Sequence, residues 1–227
     1  MTAQRMDRMR RTLERRQPDL AVLMDQVHKP HNLGAILRTC DAVGVAAVHA
    51  VTRRGEPSPR RAASSGVGQW VEVQTHPDIP AAMAALREQG MTVYAAHLSD
   101  EAVDFRSVDY TCPSAVLLGA EKHGVGPEAA ALADRHITIP MHGLGASLNV
   151  SVAAAVILYE AERQRVAAGL YGRPRLEEAV IRRKLFEWLH PKLAARFRAA
   201  GTPYPELDDE GCIVPRQGNV GRKLPAP

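Results

Sequence analysis

The sequence predicts an α/β fold: a mostly parallel sheet with helices on both faces, plus helical extensions at either end. Three observations carry that expectation. Short apolar runs alternate along the chain with longer segments of helical spacing, the pattern of strands joined by crossover helices. Leu20-Ala-Val-Leu-Met24 is apolar throughout, as a strand covered on both faces must be. Hydrophobic residues make up 45% of the chain but aromatics only 4%, so the core must be built from Ala, Val, Leu and Ile.

The elements follow in order. Residues 3–16 read as a short basic helix, then Leu20–Met24 as the first strand. His31 to Val43 carries Leu33, Ile36, Leu37 and Val43 at helical spacing and is closed by Gly44. Strands are expected at 48–51, 71–74, 92–96, 114–118 and 136–140. Helices are expected from Ile79 to Gln89, stopped by Gly90, and from Pro127 to Ala133, with proline at the start. Two long helices close the pattern, Ser147 to Ala168 and Leu176 to Arg198. Gly201 to Pro227, rich in Pro and Gly, reads as an irregular tail.

Composition narrows the function classes. Cys40, Cys112 and Cys212 are scattered, with neither metal-ligand spacing nor a disulfide framework, which suits a reducing cytoplasm. The N-terminus has no apolar stretch of a secretory signal, and the longest apolar run, Val150 to Tyr159, is too short for a bilayer. The net charge is +4, but residues 1–16 carry six Arg and two acids, whereas residues 161–200 carry ten bases and four acids. The middle is acidic. Two basic segments around an acidic core point to a polyanionic partner, although a single basic helix is equally well a solvated face. The segments expected are a basic N-terminal extension at 1–17, a main domain at 18–168, and a basic helix with tail at 169–227.

Three segments sit where strands end, the place open α/β sheets put their ligands. The first is Val27-His-Lys-Pro-His-Asn-Leu-Gly-Ala-Ile-Leu-Arg-Thr39. Asn32 is a candidate helix N-cap, and Arg38, six residues on, is expected to share roughly its face. His28 and His31 lack a third ligand for a metal and read as surface histidines. The second is Leu117-Leu-Gly-Ala-Glu-Lys-His-Gly-Val-Gly-Pro127, a glycine loop that is neither a P-loop nor a dinucleotide fingerprint. Alone it is equally a simple turn. In the third, Ile139-Pro-Met-His-Gly-Leu-Gly-Ala-Ser-Leu-Asn-Val-Ser151, Ser147 can cap the following helix. Capping by Ser147 leaves Asn149 without a structural reason.

Together the three segments resemble the motifs of the SPOUT superfamily of methyltransferases, in its TrmH branch. That family has an Asn followed six residues later by Arg, a Gly-x-Glu-x-x-Gly, and Ser-Leu-Asn-Val-Ser. Here these are Asn32 and Arg38; Gly119, Glu121 and Gly124; and Ser147 to Ser151. The resemblance spans about residues 5–204. It implies a sheet with a C-terminal trefoil knot, an obligate homodimer, and 2′-O-methylation of a ribose in tRNA, most narrowly guanosine 18, with S-adenosylmethionine as methyl donor and no metal. By position it places the donor near Ala96, Leu98, Gly119, Ile139, Met141 and Leu148; Ala96 brings no polar side chain. It makes Arg38 the catalytic residue, with Asn32, Glu121, Ser147 and Asn149 around it. Arg38 takes the hydroxyl proton, positions a phosphate or stabilises the alkoxide; a protonated arginine does only the last two. Arg8, Arg11, His31, Arg163, Arg165 and Arg173 are the expected RNA contacts. The alternatives are an rRNA methyltransferase of the same family, against which the absence of a separate N-terminal RNA-binding domain speaks, and a catalytically silent RNA-binding assembly factor, against which the intact motifs speak.

Overall fold

A computed structural model describes residues 3–52 and 70–214. The chain forms two compact units, one from Gln17 to Gly172 and one from the residues on either side of that span.

The larger unit is a seven-stranded sheet. Its strands are β1 (Gln17–Asp25), β2 (Val45–Val51), β3 (Glu72–His76), β4 (Thr92–Ala96), β5 (Val103–Asp104), β6 (Ser114–Leu118) and β7 (Arg135–Thr138). They lie in the order β3-β2-β1-β6-β4-β7-β5, every pair parallel. The first helix, α1 (Ala3–Glu14), belongs to the smaller unit; four helices accompany the strands of the larger, α2 (Pro30–Ala42), α3 (Ile79–Glu88), α4 (Pro127–Leu132) and α5 (Val150–Ala167).

Alternation along β1 assigns the faces. Leu20, Val22 and Met24 join one core cluster with Leu33, Ile36 and Leu37 of α2 and Ile157 and Leu158 of α5. Ala21 and Leu23 join the other, with Ile79, Met83 and Leu86 of α3 and Ala129 of α4. Each such Leu or Ile stabilises the unit by about 1.5–3 kcal/mol through burial. Pro18 lies where the β1–β2 register slips between Gln17 and Ala21, a ladder irregularity that absorbs its missing amide. Gly44 at φ 80° and Gly90 at φ 70° turn the chain after α2 and α3, where a left-handed residue ends a helix.

The chain runs outward from β1 to β2 and β3, then returns to the other side. The reversal falls between β1 and β6, so the crevice beyond their C-terminal ends is the topological switch point.

Some boundaries differ from the sequence expectation, for local reasons. α2 starts at Pro30 with Lys29 as its cap; proline suits the first position because the missing amide has no helical partner there. Asn32 therefore lies inside the helix and is not its cap. α5 starts at Val150, and its cap is Asn149, whose side chain accepts from the Ser151 amide. Ser147 lies outside the helix. β5 has only two residues, too few to leave a periodic signal.

The smaller unit contains α1 (Ala3–Glu14), α6 (Glu178–Leu189) and α7 (Pro191–Ala199). The single helix expected across 176–198 is two, because Pro191 cannot donate the bond that would carry it through. Met9, Leu13, Ile181, Leu185, Phe186 and Leu189 are buried. Phe186 stacks on Tyr204 at 4.6 Å, and Arg10 pairs with Glu178 at 2.7 Å. Residues 201–214 carry one isolated bridge, Leu207 with Ile213; residues 215–227 of the expected tail lie outside the described residues. Among the described residues no helix is long and apolar enough to cross a membrane, and no group of three or more His, Cys, Asp or Glu is placed to hold a metal.

Candidate active site

A cavity of about 400 Å³ opens at the C-terminal ends of β6, β4 and β7. The loop after β6 supplies Gly119, Ala120 and Glu121; the segment at the end of β4 supplies Ala96, His97 and Leu98; the chain from β7 into α5 supplies Ile139, Met141 and Ser147 to Val150.

Gly119 is required by close packing. A Cβ there would meet the Gly124 carbonyl carbon at 2.0 Å, so the loop closes on itself only without a side chain. Ala120 and Gly124 are paired across that closure, and Gly124 adopts φ 66°.

Three polar side chains from distant segments meet in one chain of hydrogen bonds. Asn32 is 1% exposed; its Nδ2 donates to Glu121 Oε1 at 2.8 Å. Asn149 Nδ2 donates to Asn32 Oδ1 at 3.3 Å. Asn149 Oδ1 accepts from the Ser151 amide at 2.9 Å and hydroxyl at 2.7 Å. A primary amide both donates and accepts, so Asn32 links an acceptor on one side to a donor on the other.

Glu121 is the acidic end of this chain. Its side chain is 7% exposed. Burial raises a carboxyl's pKa, but bonds from the Asn32 amide and from backbone amides including that of Lys29 outweigh it and hold Glu121 below its ordinary value. It is an anion at neutral pH. Its Oε2 is buried without a well-formed hydrogen bond. His28 Nδ1 lies 3.3 Å from that oxygen, but is also 3.2 Å from the Gln26 carbonyl, so it offers charge when protonated rather than an aligned donor.

The six positions expected around the methyl donor all line the cavity, as do Glu121, Ser147 and Asn149. Arg38 does not. It lies on the exposed side of α2 and has no hydrogen bond or ion pair among the described residues, while Asn32 faces inward. Six residues turn a helix by about 600°, leaving the two about 120° apart, so the expectation of a shared face fails.

Arg165 is corrected outright. It is 0% exposed, with Nε donating to the Tyr110 carbonyl, one terminal nitrogen to Gln17 and Asp19, and the other to the Asp19 and Cys112 carbonyls. Every donor direction is used inside the protein, so it does not contact RNA. Its spacing in the basic segment gave no hint, because the partners lie far away in sequence. Arg163 is exposed and paired with Glu160 at 2.8 Å. Arg8, Arg11, His31 and Arg173 are exposed.

Sequence reasoning missed His97 in the cavity wall and the Ser99–His136 contact beside it. It also left His28 a surface histidine. The only available signal was position, just after a strand or at its end.

Comparison with known proteins gives a consistent picture. Residues 19–159 match the SpoU rRNA Methylase family, and residues 163–215 match the SpoU rRNA methylase C-terminal family. The chain is 57% identical over 188 residues to a tRNA (guanosine(18)-2′-O)-methyltransferase of Thermus thermophilus, covering 83% of this chain and 97% of that one. The fold is similar to the TrmH/SpoU tRNA modifying enzyme of A. aeolicus, with a TM-score of 0.73 at 37% identity, over 88% of this chain and 98% of that one. It is also similar to the SpoU methyltransferase AviRb of Streptomyces viridochromogenes in complex with AdoMet, with a TM-score of 0.57 at 27% identity, over 66% and 62% of the two chains. With the family match running through β1, the glycine loop and the capped start of α5, the chain belongs to the SpoU methylase family.

Proposed function

We propose that this protein transfers a methyl group from S-adenosylmethionine to the ribose 2′-hydroxyl of guanosine 18 in tRNA. The observation that carries the reading is the union of Asn32, Glu121 and Asn149 in one hydrogen-bonded chain beside the cavity. The guanosine-18 target follows the tRNA methyltransferase from Thermus thermophilus at 57% identity.

The cavity lining fits the donor. Leu118, Ile139 and Ile157 offer an apolar wall for a purine, the Gly119 loop offers backbone groups, and anionic Glu121 suits a cationic centre. The donor supplies an electrophilic methyl on a sulfonium. With the donor bound, the ribose oxygen would bond to that carbon as the carbon–sulfur bond breaks, leaving the thioether S-adenosylhomocysteine, with the hydroxyl proton passing to water. A rigid pocket contributes by alignment. Asn32 fixes Glu121 at the wall, and Asn149, itself fixed as a helix cap, fixes Asn32. Arg38, exposed on α2 and outside the cavity lining, meets RNA rather than the donor; as a planar cation it stabilises the developing alkoxide or an adjacent phosphate.

The working form is a homodimer. Val152, Tyr159 and Val166 are 48%, 53% and 52% exposed and recur every seven residues along α5, leaving an apolar stripe for the same helix of a second copy. Leu144, fully exposed in the loop before α5, is a further apolar group for a second chain to cover. The C-terminal trefoil knot belongs to the same reading; β6 and β7, late in sequence, occupy inner positions of the sheet. Residues 18–168 form the methyltransferase domain, and the segments 1–17 and 169–227 serve RNA binding. The compartment is the cytoplasm, where the thiols of Cys40, Cys112 and Cys212 stay reduced.

The test is methyl transfer from labelled S-adenosylmethionine to tRNA transcripts, followed by nucleoside mapping. Label is expected in 2′-O-methylguanosine at position 18 and absent from a transcript with that guanosine replaced. Label in rRNA alone would move the target to the ribosome, and no label in any RNA would leave an assembly factor.

A further inference from the structure

The imidazole of His136 is held at both ends. Its Nε2 lies 3.1 Å from the Ala130 carbonyl. A carbonyl only accepts, so Nε2 carries the proton and Nδ1 is an acceptor. The Ser99 hydroxyl, 2.8 Å from Nδ1, therefore donates to it. His97 packs edge-on against the same ring, with centroids 5.1 Å apart.

These contacts link two walls of the cavity, the segment after β4 and the end of β7, to α4, which lies outside the lining. Ala130 lies in α4, which follows the glycine loop. Ser99 and His97 flank Leu98 after β4, and the Ser99 carbonyl also accepts from the Ala102 amide at 3.1 Å. His136 lies in β7, next to Ile137, whose carbonyl accepts from the His97 amide at 3.2 Å. Leu98 is 72% exposed, so its own side chain does little to hold the segment. The Ser99–His136 bond is the side-chain tie that adds to the His97 backbone bond.

We propose that His136 is a positioning residue for the methyl-donor pocket. It sets the distance between α4 and the segment after β4, and so holds Ala96 to Leu98 against the donor. This rests on the reading of the cavity as the donor site. His136 does not line the cavity and acts through Ser99.

Titration calorimetry of the full chain with S-adenosylmethionine alone, paired with steady-state kinetics on tRNA, tests it. Ser99→Ala and His136→Gln, the latter keeping a donor near the Nε2 position for Ala130 but placing no acceptor at the Nδ1 position facing Ser99, should weaken donor binding about tenfold, the size of one lost hydrogen bond at the upper end of its range. The KM for the donor should rise by the same factor, with kcat at saturating donor unchanged. His136→Asn, which keeps an acceptor near the Nδ1 position, should restore most of the affinity. Unaltered donor binding in Ser99→Ala would overturn the proposal alone, as would a fall in kcat and thermal midpoint with affinity intact. Failure of the unaltered protein to bind the donor would overturn the pocket assignment and this proposal with it.

Discussion

Asn32 and Arg38 belong to one sequence motif and end in different surroundings. Asn32 is buried in a network; Arg38 faces solvent. A residue outside the donor cavity that acts on the ribose contributes in the transition state, not in donor binding. Arg38→Ala should therefore lower kcat about a hundredfold, the scale of a lost proton-transfer or alkoxide-stabilising group, while the donor Kd from calorimetry stays within error. Arg38→Lys should not rescue it, since a point charge does not reproduce a planar fork; near-normal turnover in that variant would reduce Arg38 to simple electrostatics. Gly119 makes the opposite prediction. A Cβ 2.0 Å from the Gly124 backbone forces the loop open, so Gly119→Ala should abolish measurable donor binding. The identities of these residues were legible in the sequence because each stands in a fixed-spacing motif. Their directions were not: an interval of six on a helix separates faces, and the partners of Asn32 lie 89 and 117 positions away.

At the scale of elements, the long helix α5 was legible from its run of small and aliphatic residues, but its start was not. Asn149 and Ser147 are both good caps, and only the contact with Asn32 decides between them. The far end of α5 is fastened by Arg165, which pairs with Asp19 at 2.7 Å and donates to three backbone carbonyls. Removing it takes the cation from beside Asp19 and leaves those three carbonyls short of a donor. Arg165→Met should destabilise the protein by about 3–5 kcal/mol, read from urea unfolding, and a loss under 1 kcal/mol would mean water replaces the guanidinium. The edge of the sheet carries a second polar pair, one member buried and the other half-buried. His49 in β2 lies 2.9 Å from His76 in β3, and burial, then the charge of His76, lowers the His49 pKa from 6.5 to about 4, against a smaller opposing pull from Glu72. The unfolded chain takes up this proton below about pH 6.5 and the folded chain does not, so the contribution is whole above that pH and declines as pH falls toward 4. The urea midpoint should be lower at pH 4.5 than at pH 7, with a shallower decline in His49→Gln. Glu121, with its lowered pKa, loses its contribution only at lower pH, as pH falls below the ordinary carboxyl value of 4.5.

For the whole molecule, the parallel class was legible from alternation, but the strand order was not. Nothing local to β1 says that its neighbour is β6 rather than β3. Charge distribution was legible, and it finds a structural counterpart in α1, where Arg5, Arg8 and Arg11 recur every three residues on the exposed side. Met9 and Leu13 of the same helix are buried, so deleting residues 1–16 would disturb packing as well as charge. Arg8→Ala with Arg11→Ala is the cleaner experiment: tRNA affinity should fall and the slope of log affinity against log salt should flatten by about two, with donor affinity unchanged. An unchanged slope would place RNA binding elsewhere.

The pairing of β1 with β6 also has a consequence for biosynthesis. The first core strand emerges from the ribosome roughly ninety residues before the strand that will lie beside it. At about 5–20 residues per second, its open edge waits on the order of 5–20 seconds, guarded only by β2 on the other side. The wall from Ser147 to Ile157 emerges later still, so premature termination before β6 yields a product with an open β1 edge, and termination between β6 and α5 yields one whose cavity lacks a wall.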